Sequence, residues 1–180
     1  MPNATTPTTT APTPSPTSAR RIFFTKMASP IGELLLVGDG ETLSGLYMQD
    51  GRKPKRIDSA WHESAAPFAD VKTQLQEYFA GTRTTFAIPL APEGAPFERL
   101  VWRALEEIPY GETVSYGEIA RRVGQPGAAR AVGTANGRNP IAVIVPCHRV
   151  IGADGSLTGY GGGLERKRLL LELERGQGRL

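Results

Sequence analysis

Cysteine is nearly absent: Cys147 stands alone in 180 residues, accompanied by only two histidines, His62 and His148. One thiol excludes an internal disulfide, and one thiol with two imidazoles is too small a set for a structural zinc site. No metal and no cofactor is expected. Long apolar runs are missing too, since nothing approaches the roughly 18 residues that a spanning helix needs, and no membrane association is expected. Neither sign of charge dominates, with 21 Lys and Arg against 18 Asp and Glu. The sequence pI is nonetheless about 9.2, and most of the cations are arginines, which suit phosphate contacts better than lysines do. This balance permits nucleic-acid binding without demanding it. Met1 to Ala19 hold almost only Thr, Pro, Ala and Ser. They lack the charged start and apolar centre of a signal peptide and the apolar content that ordering requires, so residues 1–19 read as a disordered tail without a catalytic role. A free thiol meant to react fits a reducing, cytoplasmic setting.

Two units follow the tail, 20–90 and 91–180. Ile22-Phe23-Phe24, Gly32 to Val37 and Leu43 to Met48 are β-prone runs separated by Ser29-Pro30 and Gly38-Asp39-Gly40, a pattern that predicts an antiparallel meander. Gly51 to Ala66 is polar and carries Arg52, Lys53, Lys55 and Arg56, an exposed loop that is a solvated charge run before it is a DNA contact. Phe68, Val71, Leu75, Tyr78 and Phe79 recur at helical spacing up to Gly81, and Thr84 to Leu90 is predicted as a last strand. The first unit is thus a small sheet with one helix. In the second, Phe97, Leu100, Val101, Ala104, Leu105 and Ile108 mark an amphipathic helix. Ser115 and Glu118 form a predicted capping box for a helix that closes at Gly124. After Gln125-Pro126-Gly127 a third helix, Ala128 to about Asn136, completes a helix-turn-helix candidate. Its Ala128, Ala129, Ala131, Gly133 and Ala135 make a slim surface with Arg130 as the only long side chain. Such a surface suits either tight core packing or close approach to a partner.

The aliphatic run Ile141 to Val145 predicts a strand buried on both faces and stopped by Pro146. Cys147, His148 and Arg149 follow at once. An imidazole and a guanidinium beside a thiol favour the thiolate, whereas a lone cysteine is more commonly a small buried hydrophobe. Local sequence leaves these two readings open.

Pro146-Cys147-His148-Arg149-Val150 resembles the active-site signature of the O6-alkylguanine-DNA alkyltransferases. The likeness runs from about Pro96 to Glu174, through Ile108-Pro109-Tyr110-Gly111-Glu112, Ser115-Tyr116, Ala129 to Gly133, Asn139-Pro140 and Tyr160 to Gly163. The resemblance implies an α/β (α+β) chain, with a small N-terminal ribonuclease-H-like sheet domain and a mostly helical, winged helix-turn-helix-like C-terminal domain. Its partner would be double-stranded DNA, entered through the minor groove by a monomer; cooperativity along DNA stays open. The substrate would be O6-alkylguanine flipped out of the stack, and Cys147 would keep the alkyl group irreversibly. By the same resemblance, His148 activates Cys147 through a water and Glu174 orients His148. Ala129, Ala131 and Gly133 line the recognition helix, and Arg130 takes the place of the flipped base. Tyr116, Val150, Tyr160 and the main chain at Gly161 contact the base, and Asn139 ties the recognition helix to the run before Cys147. Many family members have a serine where Gly161 stands, and some carry a zinc that this chain lacks the residues to hold. Two alternatives from other classes are a lesion-binding module without chemistry, which Cys147 argues against, and a thiol hydrolase using Cys147 and His148.

Overall fold

A computed structural model describes residues 21–51 and 54–176. The predicted tail, Arg52 and Lys53 lie outside the described residues. Three strands, β1 (Phe23–Met27), β2 (Leu34–Gly38) and β3 (Leu43–Met48), form the expected antiparallel meander. A two-residue strand, β4 (His62–Glu63), then pairs parallel to β1 and gives the order β3-β2-β1-β4. Its polar sequence has no strand signal, and the loop expected over 51–66 conceals it. All five residues of β2 are buried. Leu34 and Leu36 face the main core, while Leu35 and Val37 pack with Phe24 in a second cluster flanked by Trp61. Burial on both faces explains the unbroken Leu-Leu-Leu-Val run.

Helix α1 (Ala69–Phe79) buries Val71, Gln74, Leu75, Tyr78 and Phe79 against the sheet. It stops where Gly81 turns into left-handed backbone at φ 72°. The strand predicted from Thr84 to Leu90 does not form. Only Leu90 makes a bridge, to Leu43. Farther up, the Gln74 side chain accepts from Ala87 N at 2.8 Å and donates to Ala87 O, replacing a partner strand. Pro89 cannot donate to a ladder in any case.

In the C-terminal half, α2 (Pro96–Glu106) opens with proline at its first position and with the Glu98 carboxylate accepting from Ala95 N at 2.9 Å. Strand β5 (Val114–Ser115) leads into α3 (Tyr116–Arg122), and α4 (Ala129–Gly137) follows a tight turn. Half of the predicted capping box closes: Ser115 Oγ accepts from Glu118 N at 3.1 Å, while the Glu118 carboxylate turns outward to Arg121 and Arg122. Trp102, 1% exposed, donates from Nε1 to Ala135 O and clamps α2 onto α4. Truncating such a residue to alanine costs about 3–5 kcal/mol. Strand β6 (Val150–Ile151) pairs parallel with β5, and α5 (Leu164–Glu174) closes the fold. A single core runs through both halves, holding Leu36 and Leu46 of the sheet, Tyr78, Leu105, Val132 and Leu170. Among the described residues no helix is long and apolar enough to cross a membrane.

The strand expected over Ile141 to Val145 is instead a buried turn. Ile141 bridges Leu46 on the outer edge of β3, and then the chain coils, with Val145 N donating to Ile141 O and Ile144 N to Ala142 O. Val143 adopts φ 71°, an uncommon and strained conformation for a β-branched residue. Apolarity correctly signals burial here, but it carries no information about extension.

Candidate active site

The turn is held open by Asn139. Its amide nitrogen donates to Val145 O at 2.8 Å and to Ile141 O at 3.4 Å, and its oxygen accepts from Ile141 N at 3.0 Å. Three backbone groups that a ladder would have paired are therefore satisfied by one side chain. Pro146 ends the turn, and Cys147–Arg149 form a single 3-10 turn, all three residues buried. From α4, Asn136 Nδ2 reaches Cys147 O at 3.3 Å and fixes the turn from below.

Glu174, near the end of α5, collects the side chains around this turn. Its Oε1 accepts from His148 Nε2 at 2.7 Å, from the Tyr78 hydroxyl at 2.7 Å and from Arg149 at 2.9 Å. Its Oε2 accepts from Arg149 Nε at 2.8 Å and from Gly111 N at 3.1 Å. Burial alone would raise this carboxyl, but the bonds and charges of His148 and Arg149 hold it well below the ordinary carboxylate range. A carboxylate so surrounded is ionised and can only accept, so His148 must present N–H at Nε2. The lone pair is then on Nδ1, which is buried and has no hydrogen-bond partner among the described residues. Burial lowers the His148 pKa despite Glu174, and the charges of Arg149 and Lys167 lower it further. The imidazole is a neutral base at rest.

Among the described residues no hydrogen bond links this imidazole to the Cys147 sulfur. Both residues lie on a 3-10 turn rather than on an extended strand. The resting charge of the thiol also differs. Cys147 is 4% exposed, and burial pushes its pKa up, against the opposing effects of the Asn139 amide, the Lys167 charge and the local backbone N–H groups. Cationic neighbours alone favour a thiolate, but desolvation outweighs them. Cys147 rests as a thiol.

The β5–β6 pair brings Val150 beside Val114 and so places Tyr116, the first residue of α3, at the edge of this centre. Tyr116 donates to Thr158 O at 3.1 Å, and a Cβ at Gly133 of α4 would lie 3.7 Å from its ring. Ala129 and Gly133 are half-buried, while Arg130 and Ala131 face outward from α4. Arg130 thus stands apart from the Cys147 centre and on the surface of the same helix. The glycine-rich loop 152–163 folds over the other side. The Tyr160 hydroxyl is buried without a partner among the described residues, and burial, then Cys147, push this phenol well above its usual pKa. Gly161 is exposed. A Cβ on its neighbour Gly162 would collide with Met48 Sδ and sit 3.0 Å from the Tyr160 ring, so any side chain there would push the Met48 thioether aside.

Four participants escape sequence reasoning. Arg149 is visible beside Cys147, but its two bonds to Glu174 are not. Tyr78 and Asn136 look like ordinary helix residues. Lys167 is wholly buried, donates to Val150 O at 2.6 Å and to Thr158 O at 2.7 Å, and has its pKa lowered by burial to about 8. Its signal was its phase: Lys167, Leu170, Leu171 and Glu174 share one face of α5. A cavity of about 870 Å³ lies behind the centre, between segment 84–92 and α2, and touches Pro146 and Arg149 but not Cys147.

Comparison with known proteins matches both halves of the chain. Residues 22–92 match the ribonuclease-like domain, and residues 96–176 the DNA-binding domain, of 6-O-methylguanine DNA methyltransferase. A methylated-DNA–protein-cysteine methyltransferase of Mycobacterium leprae is 59% identical over 87% of this chain and 94% of its own length. One from Methanosarcina acetivorans is 52% identical over 85% and 98%. Among solved structures, Mycobacterium tuberculosis OGT in complex with DNA superposes with a TM-score of 0.81 at 52% identity, covering 87% of this chain and 94% of that one. With its two halves matched in order and relatives more than half identical across it, the chain belongs to the methylated-DNA–protein-cysteine methyltransferase family.

Proposed function

We propose that the protein repairs O6-alkylguanine in double-stranded DNA by taking the alkyl group onto Cys147, once per molecule. The observation that carries this reading is a buried thiol next to a histidine whose Nε2 is locked by Glu174 and whose Nδ1 is left as a base. General-base activation of a nucleophile needs that arrangement. The thiol proton passes to Nδ1, through a water as the family resemblance implies. The sulfur then attacks the alkyl carbon, forming an S–C bond as the C–O6 bond breaks. The electron pair of that bond stays on guanine, which takes up a proton, with hydroxyl donors available at Tyr116 and Tyr160. A thioether lacks a leaving group, so nothing restores Cys147. No cofactor enters the step.

The O6 atom of guanine sits on the base-pairing edge, and chemistry there requires the nucleotide to leave the stack. The slim outer surface of α4 suits a minor groove, with Ala131 exposed and Arg130 the long planar group able to replace the extruded base. Tyr116, Val150, Tyr160 and the backbone near Gly161 would form the walls of the pocket, and Asn139 the link from α4 to the nucleophile. The test is intact-protein mass after incubation with a duplex containing one O6-methylguanine, followed by peptide mapping. The expected result is one methyl group, on Cys147, saturating at one equivalent. Continued turnover, or a methyl group on any other residue, would overturn the proposal.

A further inference from the structure

The bond from Tyr78 to Glu174 joins residues 96 positions apart and on different halves of the molecule. Tyr78 is wholly buried on the inner face of α1. Its ring contacts Phe79, Phe86 and Tyr110, the last edge-on at a centroid distance of 6.0 Å, and Arg149 lies over the Tyr110 ring. These contacts give the phenol no freedom to swing away. Its hydrogen bond ends on Oε1, the same oxygen that receives His148 Nε2. With Arg149 that oxygen serves three donors, and a shared acceptor gives less to each, so the phenol draws charge from the oxygen that would otherwise stabilise an imidazolium.

We propose that Tyr78 is a positioning residue for the transfer: the N-terminal half, through this hydroxyl, orients the Glu174 carboxylate and limits the basicity of His148. The inference rests on the reading of Cys147, His148 and Glu174 given above. The phenol is available as a donor at all working pH, because burial, then the adjacent carboxylate, push it well above its ordinary pKa. The groups that face His148 and Glu174 are Arg149 and Cys147 on the same turn, Lys167 on α5, Tyr78 on α1, and Tyr110 and Tyr160 from the flanking loops. Of these, Tyr78 can lose its polar atom while its ring and neighbours stay in place.

The test compares wild type, Tyr78→Phe and Leu75→Ala, the last a packing control on the same face of α1. Two rates are followed from pH 5 to pH 9: single-turnover methyl transfer from an O6-methylguanine duplex, and alkylation of Cys147 by iodoacetamide. Without the phenol, Glu174 binds His148 more strongly and the imidazole becomes more basic. The acid limb of Tyr78→Phe should therefore move up by roughly half a pH unit, slowing reaction on that limb about threefold, while the alkaline plateau does not fall. Leu75→Ala should lose stability and keep the wild-type profile. A Tyr78→Phe profile that overlays wild type, or a uniform loss at every pH matched by Leu75→Ala, would overturn the proposal. If wild type accepted no methyl group while the two iodoacetamide profiles still differed as stated, the repair reading would fail and the role of Tyr78 on the thiol would stand.

Discussion

At the residue scale, five donor atoms surround one carboxylate, that of Glu174. Arg149 supplies the permanent charge that keeps Glu174 ionised whether or not His148 is protonated, and this separates stability from catalysis. Glu174→Gln keeps the shape but leaves Arg149 buried without a counter-charge, a change that typically costs about 3–5 kcal/mol. The same change weakens the acceptor at His148 Nε2 and makes Nδ1 a poorer base, so transfer should fall by at least about tenfold. Urea unfolding and single-turnover rates measured on one preparation will separate the two effects. Full-speed transfer by a folded Glu174→Gln variant would refute the role given to the carboxylate.

At the scale of elements, α4 has two jobs that meet at Gly133. Its inner side packs on α2 through Val132 and Ala135, and its outer side offers Ala131 and Arg130. The space over Gly133 admits a Cβ at ordinary contact distance, 3.7 Å from the Tyr116 ring. Gly133→Ala should then gain up to about 1 kcal/mol of helix stability and retain repair. Gly133→Leu adds a longer side chain beside Tyr116 and should lose DNA repair while the thiol still reacts with iodoacetamide. Arg130→Ala, on the exposed side, should slow repair of duplex DNA more than reaction with the free modified base. Equal losses on both substrates would remove the flipping role from Arg130.

At the scale of the molecule, the joined halves bury a titratable centre, and burial makes stability depend on pH. His148 has a lowered folded pKa. Above its unfolded value near 6.5 both states are neutral, and the group contributes no pH dependence. As pH falls below about 6.5 the unfolded chain binds a proton that the folded chain refuses, so stability declines. Glu174 is depressed as well; its contribution is complete above the unfolded carboxylate range near 4.3 and is lost as pH falls further. Acid destabilisation should thus come in two stages, and His148→Asn should flatten the first, as read by urea midpoints at stepped pH. An unchanged first stage in that variant would assign it to another group.

Much of this architecture is legible in the chain. The phases of α1, α2 and α3, the stops at Gly81 and Gly124, the meander and the apolar burial of 141–145 follow from local sequence, because turn chemistry and hydrophobic period act over a few residues. The lone thiol beside histidine and arginine is visible too, although local sequence leaves open whether it reacts or merely packs, and only the longer motif resemblance favours reaction. Other features depend on neighbours far along the chain. The run before Cys147 coils instead of extending because Asn139 satisfies its backbone groups and β3 receives Ile141 at its edge. The segment before Leu90 stays unpaired because Gln74 replaces a strand. The protonation of Cys147 is decided by how completely the fold removes water, and the tautomer of His148 by a carboxylate 26 positions away. Period and propensity determined which residues are inside. Only the packed structure decided which of them share a hydrogen bond, because desolvation and charge act through space rather than along the chain.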